Sequence, residues 1–156
     1  MDKLYVKVII CVAICLGFGI ASGFSTASSI SGWYQTIQKP SWNPPNWIFA
    51  PVWTVLYILM GIAAALVWHS HSPDKKTALI LFAVQFVLNL LWSYIFFGMH
   101  NLSLALAEII LLSVAIAITL YWFLKINRSA AILLVPYLMW VSFASSLTFT
   151  IFVMNN

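Results

Sequence analysis

KPSWNPPNWIFAPVW, residues 39–53, holds three tryptophans and four prolines but a single charge, Lys39. The adjacent Pro44 and Pro45 exclude a helix up to that point, because proline lacks the backbone donor and restricts the residue before it. Asn46 follows directly, is a residue type that caps helices, and precedes a long apolar run. The stretch therefore predicts a stiff aromatic loop that ends where a long helix starts, with Asn46 as the N-cap.

The composition of the whole chain indicates the solvent that this helix meets. The 156 residues are 63% hydrophobic and only 6% charged, and the mean hydropathy is +1.02. A soluble domain carries about 25% charged residues, so this chain lacks the charge to cover itself with a hydrated surface. We therefore expect an integral membrane protein.

Five apolar segments are long enough to cross a bilayer, since a spanning helix needs about 20 mostly apolar residues. Short connections separate most of them and favour antiparallel neighbours. The fold class predicted is all-α, a bundle of five transmembrane helices forming one domain over residues 1–156, with spans at about 4–26, 47–68, 77–99, 102–124 and 130–154. Residues 27–46 form the one long connection, and a loop of that length in a compact protein is typical of a lid.

The first span admits an alternative, a signal peptide, because lysines precede it and small residues lie near a potential cleavage point. Its apolar run exceeds the core of about 7–15 residues of a signal peptide, which favours a retained span. Small residues recur at every fourth position, at Cys11, Cys15, Gly19 and Gly23. Such a stripe lets another helix approach closely, either a helix of the same chain or a second copy in a homodimer.

Basic residues are distributed unequally between the two ends of the predicted bundle. One end holds only Lys39, whereas the end with the N-terminus holds Lys3, Lys7, Lys75, Lys76, Lys125 and Arg128. Because basic loops stay in the cytoplasm, we expect the N-terminus inside, and the aromatic loop and the C-terminus outside, in a bacterial cytoplasmic membrane. No nucleic-acid motif accompanies these charges, so no nucleic-acid partner is expected.

Polar side chains within the third and fourth spans are candidates for a function, because polar groups are costly in hydrocarbon. Gln85, Asn89 and Ser93 share one face of the third span, and Trp92 and Phe96 flank them. They are expected to point into the bundle, facing either a cavity or a partner helix. Glu108 is the one acid within a span, and we interpret it as structural, because a lone carboxylate makes no hydrolytic site.

Two helices carry stripes of large rings that include small residues. The stripes contain Trp53, Tyr57 and Gly61 in the second span, and Tyr137, Trp140, Ala144 and Thr148 in the fifth. Stripes of this kind are most often core. A large ring beside a small gap can also form a flat slot, which suits a planar aromatic ligand.

No constellation of a soluble enzyme is present in the sequence. The three histidines, at positions 69, 71 and 100, fall in predicted loops without a set of supporting metal ligands. No phosphate-binding loop and no nucleophile–base pair can be placed. Neither a metal site nor a required cofactor is therefore expected.

Three segments together resemble the TspO/translocator-protein family, also called the peripheral benzodiazepine receptor or tryptophan-rich sensory protein family. They are KPSWNPPNWIFAPVWTVLYILMG (39–61), QFVLNLLWSYIFF (85–97) and VPYLMWVSFA (135–144). The resemblance covers essentially the whole chain. It implies five transmembrane helices around a ligand cavity, with the long first loop as a lid.

The resemblance also implies the ligands and the site. Family ligands are porphyrins such as protoporphyrin IX, haem, benzodiazepine-type drugs and, in animal members, cholesterol. The implied site residues are Tyr34, Trp53, Tyr57, Asn89, Trp92, Ser93, Trp140 and Ala144, and the aromatic stripe adds Tyr137. Phe149 and Val153 occupy the positions of the animal sterol motif, which requires tyrosine and a basic residue, so sterol binding through that motif is not expected.

Three functions remain open at the level of sequence. The first is a membrane receptor that senses, moves or disposes of porphyrin. The second is an enzyme that breaks porphyrin down with light and oxygen, for which Trp53 and Trp140 would be the catalytic residues. The third is a scaffold or transport accessory whose pocket holds membrane lipid.

Overall fold

The computed structural model describes residues 3–156, and its regular structure there is entirely helical. Five helices are long and apolar enough to cross a membrane. The elements are α1 (Leu4–Ser31), α2 (Trp33–Thr36), α3 (Asn46–His69), α4 (Lys75–Ser93) with a π-helical turn (Tyr94–Gly98), α5 (Leu102–Ile126) and α6 (Arg128–Met154). The predicted all-α bundle of five transmembrane helices is confirmed.

Asparagine side chains start two of these helices. Asn101 accepts a hydrogen bond from the backbone N–H of Leu104 at 3.0 Å, and Asn127 accepts one from Ala130 at 3.1 Å. Such bonds satisfy backbone donors that the first turn of a helix leaves unpaired. The prediction that Asn46 is an N-cap was wrong: it is the first residue of α3, and Pro45 occupies the cap position without a side-chain bond.

The connection over the bundle is shorter than the predicted lid of residues 27–46. Helix α1 continues to Ser31, α2 follows after Gly32, and only residues 37–45 are irregular. No proline or glycine interrupts residues 27–31, and the Ser31 hydroxyl bonds back to the carbonyls of Ala27 and Ser28. A serine-rich end that the sequence suggested as loop therefore completes the helix.

The helices form a ring in the order α1, α3, α6, α5 and α4, which is closed by contacts of α1 with α4 and with the π-helical turn. Consecutive spans are not always neighbours, since α3 packs more extensively on α6 than on α4. This order brings α3 and α6, the two helices with aromatic stripes, next to each other.

Helices α1 and α3 approach most closely where glycine removes the side chain. A Cβ added at Gly61 would lie 2.6 Å from the Cα of Val12, and a Cβ added at Gly19 would collide with the ring of Tyr57. The predicted close packing of the small-residue stripe on another helix of the same chain is thus present at Gly19. Gly61, in contrast, packs against α1 and leaves no slot beside an aromatic ring.

Side-chain contacts define the two ends of the bundle. The ammonium of Lys7 lies 5.4 Å from the ring centre of Trp68, which places the N-terminus beside the end of α3. At the other end, the Ser29 hydroxyl donates to the carbonyl of Phe97 at 2.6 Å. The lid, the π-helical turn and the C-terminus share this second end, which we call the lid end.

Candidate functional site

A cavity of about 300 Å³ lies in the lid half of the bundle. Its walls come from α1, α3, α4, the π-helical turn and α6, and Tyr34 of α2 contributes from the lid. The lining is mostly apolar and aromatic. A volume of this size is at the lower end of the range of about 300–1,000 Å³ found for ligand pockets.

Most of the predicted site residues line this one cavity, although they come from four separate elements. They are Tyr34, Trp53, Tyr57, Trp92, Ser93, Trp140 and Ala144. The ring order of the helices explains this convergence, because α3 is adjacent to both α1 and α6. The geometry thus assembles the predicted residues, while their contact with a ligand stays a prediction.

Asn89 and Tyr137 lie behind the cavity wall, without lining it. The Tyr57 hydroxyl donates to the Asn89 side-chain oxygen at 2.9 Å, and the Tyr137 hydroxyl donates to the Gln85 side-chain oxygen at 2.7 Å. Both bonds are buried and cross between helices. The side chains therefore support the wall from behind, with Tyr57 as the residue that connects the cavity to this polar layer.

Trp53 and Trp140 are positioned by neighbouring rings. Trp53 stacks on Tyr57 with ring centres 5.6 Å apart and 29° between the planes, and meets Tyr137 edge-on at 6.3 Å. Trp140 meets Phe49 edge-on at 6.2 Å. Offset and edge-on pairs of this kind stabilise aromatic clusters by about 0.5–1.5 kcal/mol beyond burial. Both indoles are only half-buried, so ring surface remains for a ligand.

Sequence reasoning placed Phe96 beside the polar stripe of the third span but included neither Phe96 nor Phe97 among the site residues. The N–H of Met99 bonds to the carbonyl of Tyr94 at 2.9 Å, which is the five-residue spacing of a π-helix. Phe96 and Phe97 both line the cavity, although adjacent residues of a regular helix point about 100° apart. Only the adjacent phenylalanines themselves hinted at this widened turn.

The wall formed by α1 was also missed. Gly19, Gly23 and Thr26 line the cavity, together with Leu16 and Ile30. The sequence signal was the small-residue stripe, which was interpreted as a packing surface alone. Gly23 differs from Gly19, since a Cβ added there meets no packed atom within 4 Å. The upper part of the stripe therefore borders space and not a neighbouring helix.

The lid is held over the cavity by hydrogen bonds. The Tyr34 hydroxyl donates to the Asn43 side-chain oxygen at 2.7 Å. The Gln38 backbone N–H donates to the Asn155 side-chain oxygen at 2.9 Å, and the Asn155 amide donates back to the Gln38 carbonyl at 2.8 Å. Lys39 donates to the carbonyl of Tyr34 and lies 4.8 Å from its ring centre.

Several buried polar atoms lack a hydrogen-bond partner among residues 3–156. They are the side-chain nitrogen of Gln85, the indole nitrogen of Trp92 and both carboxyl oxygens of Glu108. Trp92 lines the cavity, although its indole nitrogen is itself buried, whereas Glu108 does not line the cavity. No acid–base pair is formed by the lining residues, and the arrangement suits binding of an apolar ring better than hydrolysis.

Together these features define a class: a five-helix membrane protein whose lid half encloses an aromatic cavity. Residues 11–154 match the model of the TspO/MBR family. The chain belongs to this family, as the resemblance predicted.

Three named relatives each cover three quarters or more of the chain. The Tryptophan-rich protein TspO of Chlorobaculum tepidum is 44% identical over 99% of both chains. The human Translocator protein is 36% identical, with 90% of this chain and 85% of the relative covered. The Tryptophan-rich sensory protein of Cereibacter sphaeroides is 39% identical, with 75% and 73% covered.

Proposed function

We propose that the chain is a membrane receptor for porphyrins, with protoporphyrin IX and haem as ligands, and for benzodiazepine-type compounds. Its role is the sensing, transport or disposal of tetrapyrroles, and the protein itself requires no cofactor. The observation that carries the proposal is that Trp53 and Trp140 line one apolar cavity from two different helices. Membership of the TspO/MBR family supports it.

The cavity matches the chemistry of such a ligand. A porphyrin is a flat aromatic ring, and flat rings are bound well between aromatic side chains. Ala144 lies on the same helix as Trp140, one turn further along, and both line the cavity. The small side chain of Ala144 beside the indole supports the proposal that a flat ring binds in a slot there.

Filling this room tests the proposal. Ala144→Phe is expected to weaken protoporphyrin IX binding at least about tenfold, or 1.4 kcal/mol, because the added ring occupies the ligand's space. Quenching of tryptophan fluorescence during a porphyrin titration measures the affinity. Val153→Phe is the control, since Val153 lies on the same helix, is 56% exposed and does not line the cavity. Unchanged affinity in a folded Ala144→Phe protein would place the ligand elsewhere.

A second candidate function is the breakdown of porphyrin by light and oxygen. The placement of two half-buried indoles at one cavity favours it, since indole is easier to oxidise than a benzene ring. In this scheme light excites the bound porphyrin, which takes one electron from an indole and passes it to molecular oxygen. The oxidised indole then regains an electron from the porphyrin ring, so the ring is oxidised and oxygen is the net electron acceptor. Simple binding is preferred, because no acid–base group of the lining supports the two indoles.

Substitution of both indoles separates the two functions. In the Trp53→Phe, Trp140→Phe double variant, each position keeps an aromatic face, and each substitution is expected to weaken binding by no more than about tenfold. If the protein is an enzyme, illumination should lower the porphyrin absorbance much more slowly with this variant than with the wild type. Porphyrin breakdown by the double variant at the wild-type rate would rule out the tryptophan mechanism. Breakdown by the wild type that is no faster than that of porphyrin in detergent alone would rule out an enzyme.

We propose a bacterial cytoplasmic membrane and an orientation with the N-terminus inside, on the basis of the six basic residues at that end against Lys39 at the lid end. In a background without Cys11 and Cys15, cysteines at Ser31 and Asn156 should react with an impermeant reagent on intact cells. A cysteine at His71 should not. The reverse pattern would invert the orientation and leave the fold unchanged.

Two partners remain proposals. Membrane lipid surrounds the spans and is the occupant expected in the scaffold alternative. The other proposed partner is a second copy of the chain, which would form a homodimer. Light scattering of the purified protein in detergent distinguishes a homodimer from a monomer. A mass of one chain plus detergent would exclude the dimer under those conditions.

A further inference from the structure

We propose that the cavity opens sideways into the membrane between α1 and α3, and that its ligand passes through this opening from the hydrocarbon and not through the lid. The inference rests on the proposed binding function and adds a route and a requirement. A ligand that uses this route must first dissolve in the bilayer. We call the gap between residues 20–27 of α1 and residues 50–54 of α3 the lateral opening.

The spacing of α1 and α3 changes along their length. Near the middle of the bundle and toward the end opposite the lid, Gly61 packs on the backbone of Val12, and Gly19 packs on the ring of Tyr57. One turn further toward the lid, a Cβ added at Gly23 meets no packed atom within 4 Å. The two helices are therefore in close contact at Gly19 and no longer in close contact at Gly23.

The exposure of the cavity lining identifies the open side. Among the described residues that line the cavity, the exposed ones are Ile20, Gly23 and Ala27 of α1, and Ala50 and Thr54 of α3. Lining residues of α4, the π-helical turn, α6 and the lid are buried or half-buried. The cavity is thus accessible between the facing sides of α1 and α3, and not through α4, the π-helical turn, α6 or the lid.

The depth of this edge follows from two exposed tryptophans at the ends of α3. Trp47 and Trp68 are 21 positions apart, which is about 31 Å along a helix. That distance matches a hydrocarbon core of about 30 Å, and tryptophan prefers its two boundaries. Ala50 and Thr54 then lie about 5 and 10 Å below the boundary at Trp47. The lateral opening therefore faces lipid chains and not water.

In contrast to this lateral side, the end of the cavity under the lid is closed. Asn155 forms two hydrogen bonds with the backbone of Gln38, and Tyr34 bonds to Asn43. Trp42 of the lid also meets Phe143 of α6 edge-on, with ring centres 5.8 Å apart. Passage under the lid would break these contacts, whereas passage between α1 and α3 displaces only lipid chains.

A pair of glycines provides a matched test. Gly23 borders the lateral opening and Gly17 does not, yet both lie on α1, both are exposed, and an added Cβ at either meets no packed atom within 4 Å. Gly23→Leu is expected to slow both association and dissociation of protoporphyrin IX, each at least about tenfold, whereas a side chain that only occupied the ligand's space would speed dissociation. Gly17→Leu should leave both rates unchanged. Stopped-flow quenching of tryptophan fluorescence in lipid nanodiscs measures the rates.

Two further variants keep the test valid if a leucine at Gly23 disturbs folding. Thr54→Phe places a ring on the other side of the lateral opening, and Val55→Phe places it on the neighbouring lipid-facing position outside the cavity. A disulfide between Gln38→Cys and Asn155→Cys, in a background without native cysteines, locks the lid. Neither Gln38 nor Asn155 lines the cavity, and the lock should leave the association rate within about twofold.

The outcomes separate the route from the function. Slow binding in Gly23→Leu or Thr54→Phe, with normal rates in the controls and in the locked lid, supports the lateral opening. A wild type that binds porphyrin, combined with loss of association only in the locked lid, overturns the route and leaves the receptor standing. A wild type that binds no porphyrin overturns the proposed function and the route together.

Discussion

The half of the bundle that contains Lys7 and Trp68, which we call the inner half, and the lid half are built from the same helices but are packed in opposite ways. In the inner half, Ala63, Ala65, Ala78 and Ala130 are fully buried, and these small side chains allow neighbouring helices to pack closely. In the lid half, large rings such as Trp53 line a cavity of about 300 Å³. Small residues thus bring helices together at one end, and aromatic residues hold them apart at the other.

The difference has a physical origin in the absence of a hydrophobic force between helices in lipid. Helices in a membrane associate through close packing and hydrogen bonds. The inner half uses close packing at Gly61 and Gly19. The boundary between the halves uses the two buried tyrosine–amide bonds. With these contacts fixing the helices below, the lid half can keep an unfilled space.

The largest effect is expected from a methyl group in the inner half. Gly61→Ala places its Cβ 2.6 Å from the backbone of Val12, so α1 and α3 must separate. Overpacking of this kind costs about 1–3 kcal/mol or more. Thermal unfolding in detergent, followed by circular dichroism, should show a clear fall in the midpoint. Gly17→Ala is the control, because that position is open; an equal midpoint for the two variants would show that the inner half is not tightly packed.

An intermediate effect is expected at the boundary between the halves. Tyr137→Phe removes the hydrogen bond to Gln85 and is expected to destabilise the fold by about 1 kcal/mol. A double-mutant cycle with Gln85→Leu should give a coupling energy of about 0.6–1.7 kcal/mol.

Porphyrin affinity distinguishes this support role from ligand contact. Because Tyr137 does not line the cavity, the Kd of Tyr137→Phe should stay within about threefold of the wild-type value. A loss of binding beyond tenfold in a stable variant would instead favour the direct ligand role that the sequence predicted.

The smallest effect is expected in the lid half. Gly23→Ala adds the same methyl group as the first prediction, but to a position without packed atoms within 4 Å. The gain in helix propensity is at most about 1 kcal/mol, so the unfolding midpoint should stay equal or rise slightly. A fall as large as that of Gly61→Ala would contradict the separation of α1 and α3 at this level.

The sequence predicted the five spans because each is a continuous apolar run, a property that depends on composition and not on neighbours. It also predicted that Trp53, Tyr57, Trp140 and Ala144 belong to one site, since these residues recur at helical spacing along α3 and α6, and all four line the cavity. It misplaced the N-terminal end of the lid, because serine is compatible with both a loop and the last turn of a helix. The N-cap of α3 was misassigned by one residue: asparagine is the more usual capping residue, but the cap position is occupied by Pro45.

What the sequence by itself determined is the membrane as solvent, the number of spans and some of the aromatic residues of the candidate site. Only the tertiary structure decided which small residues close an interface and which border space. Gly19 and Gly23 lie on the same helical face and both line the cavity, but an added Cβ would collide with Tyr57 at Gly19 and would meet no packed atom within 4 Å at Gly23. A periodicity places residues on a face of one helix, whereas the distance to the next helix depends on contacts made elsewhere, such as that of Gly61 with Val12.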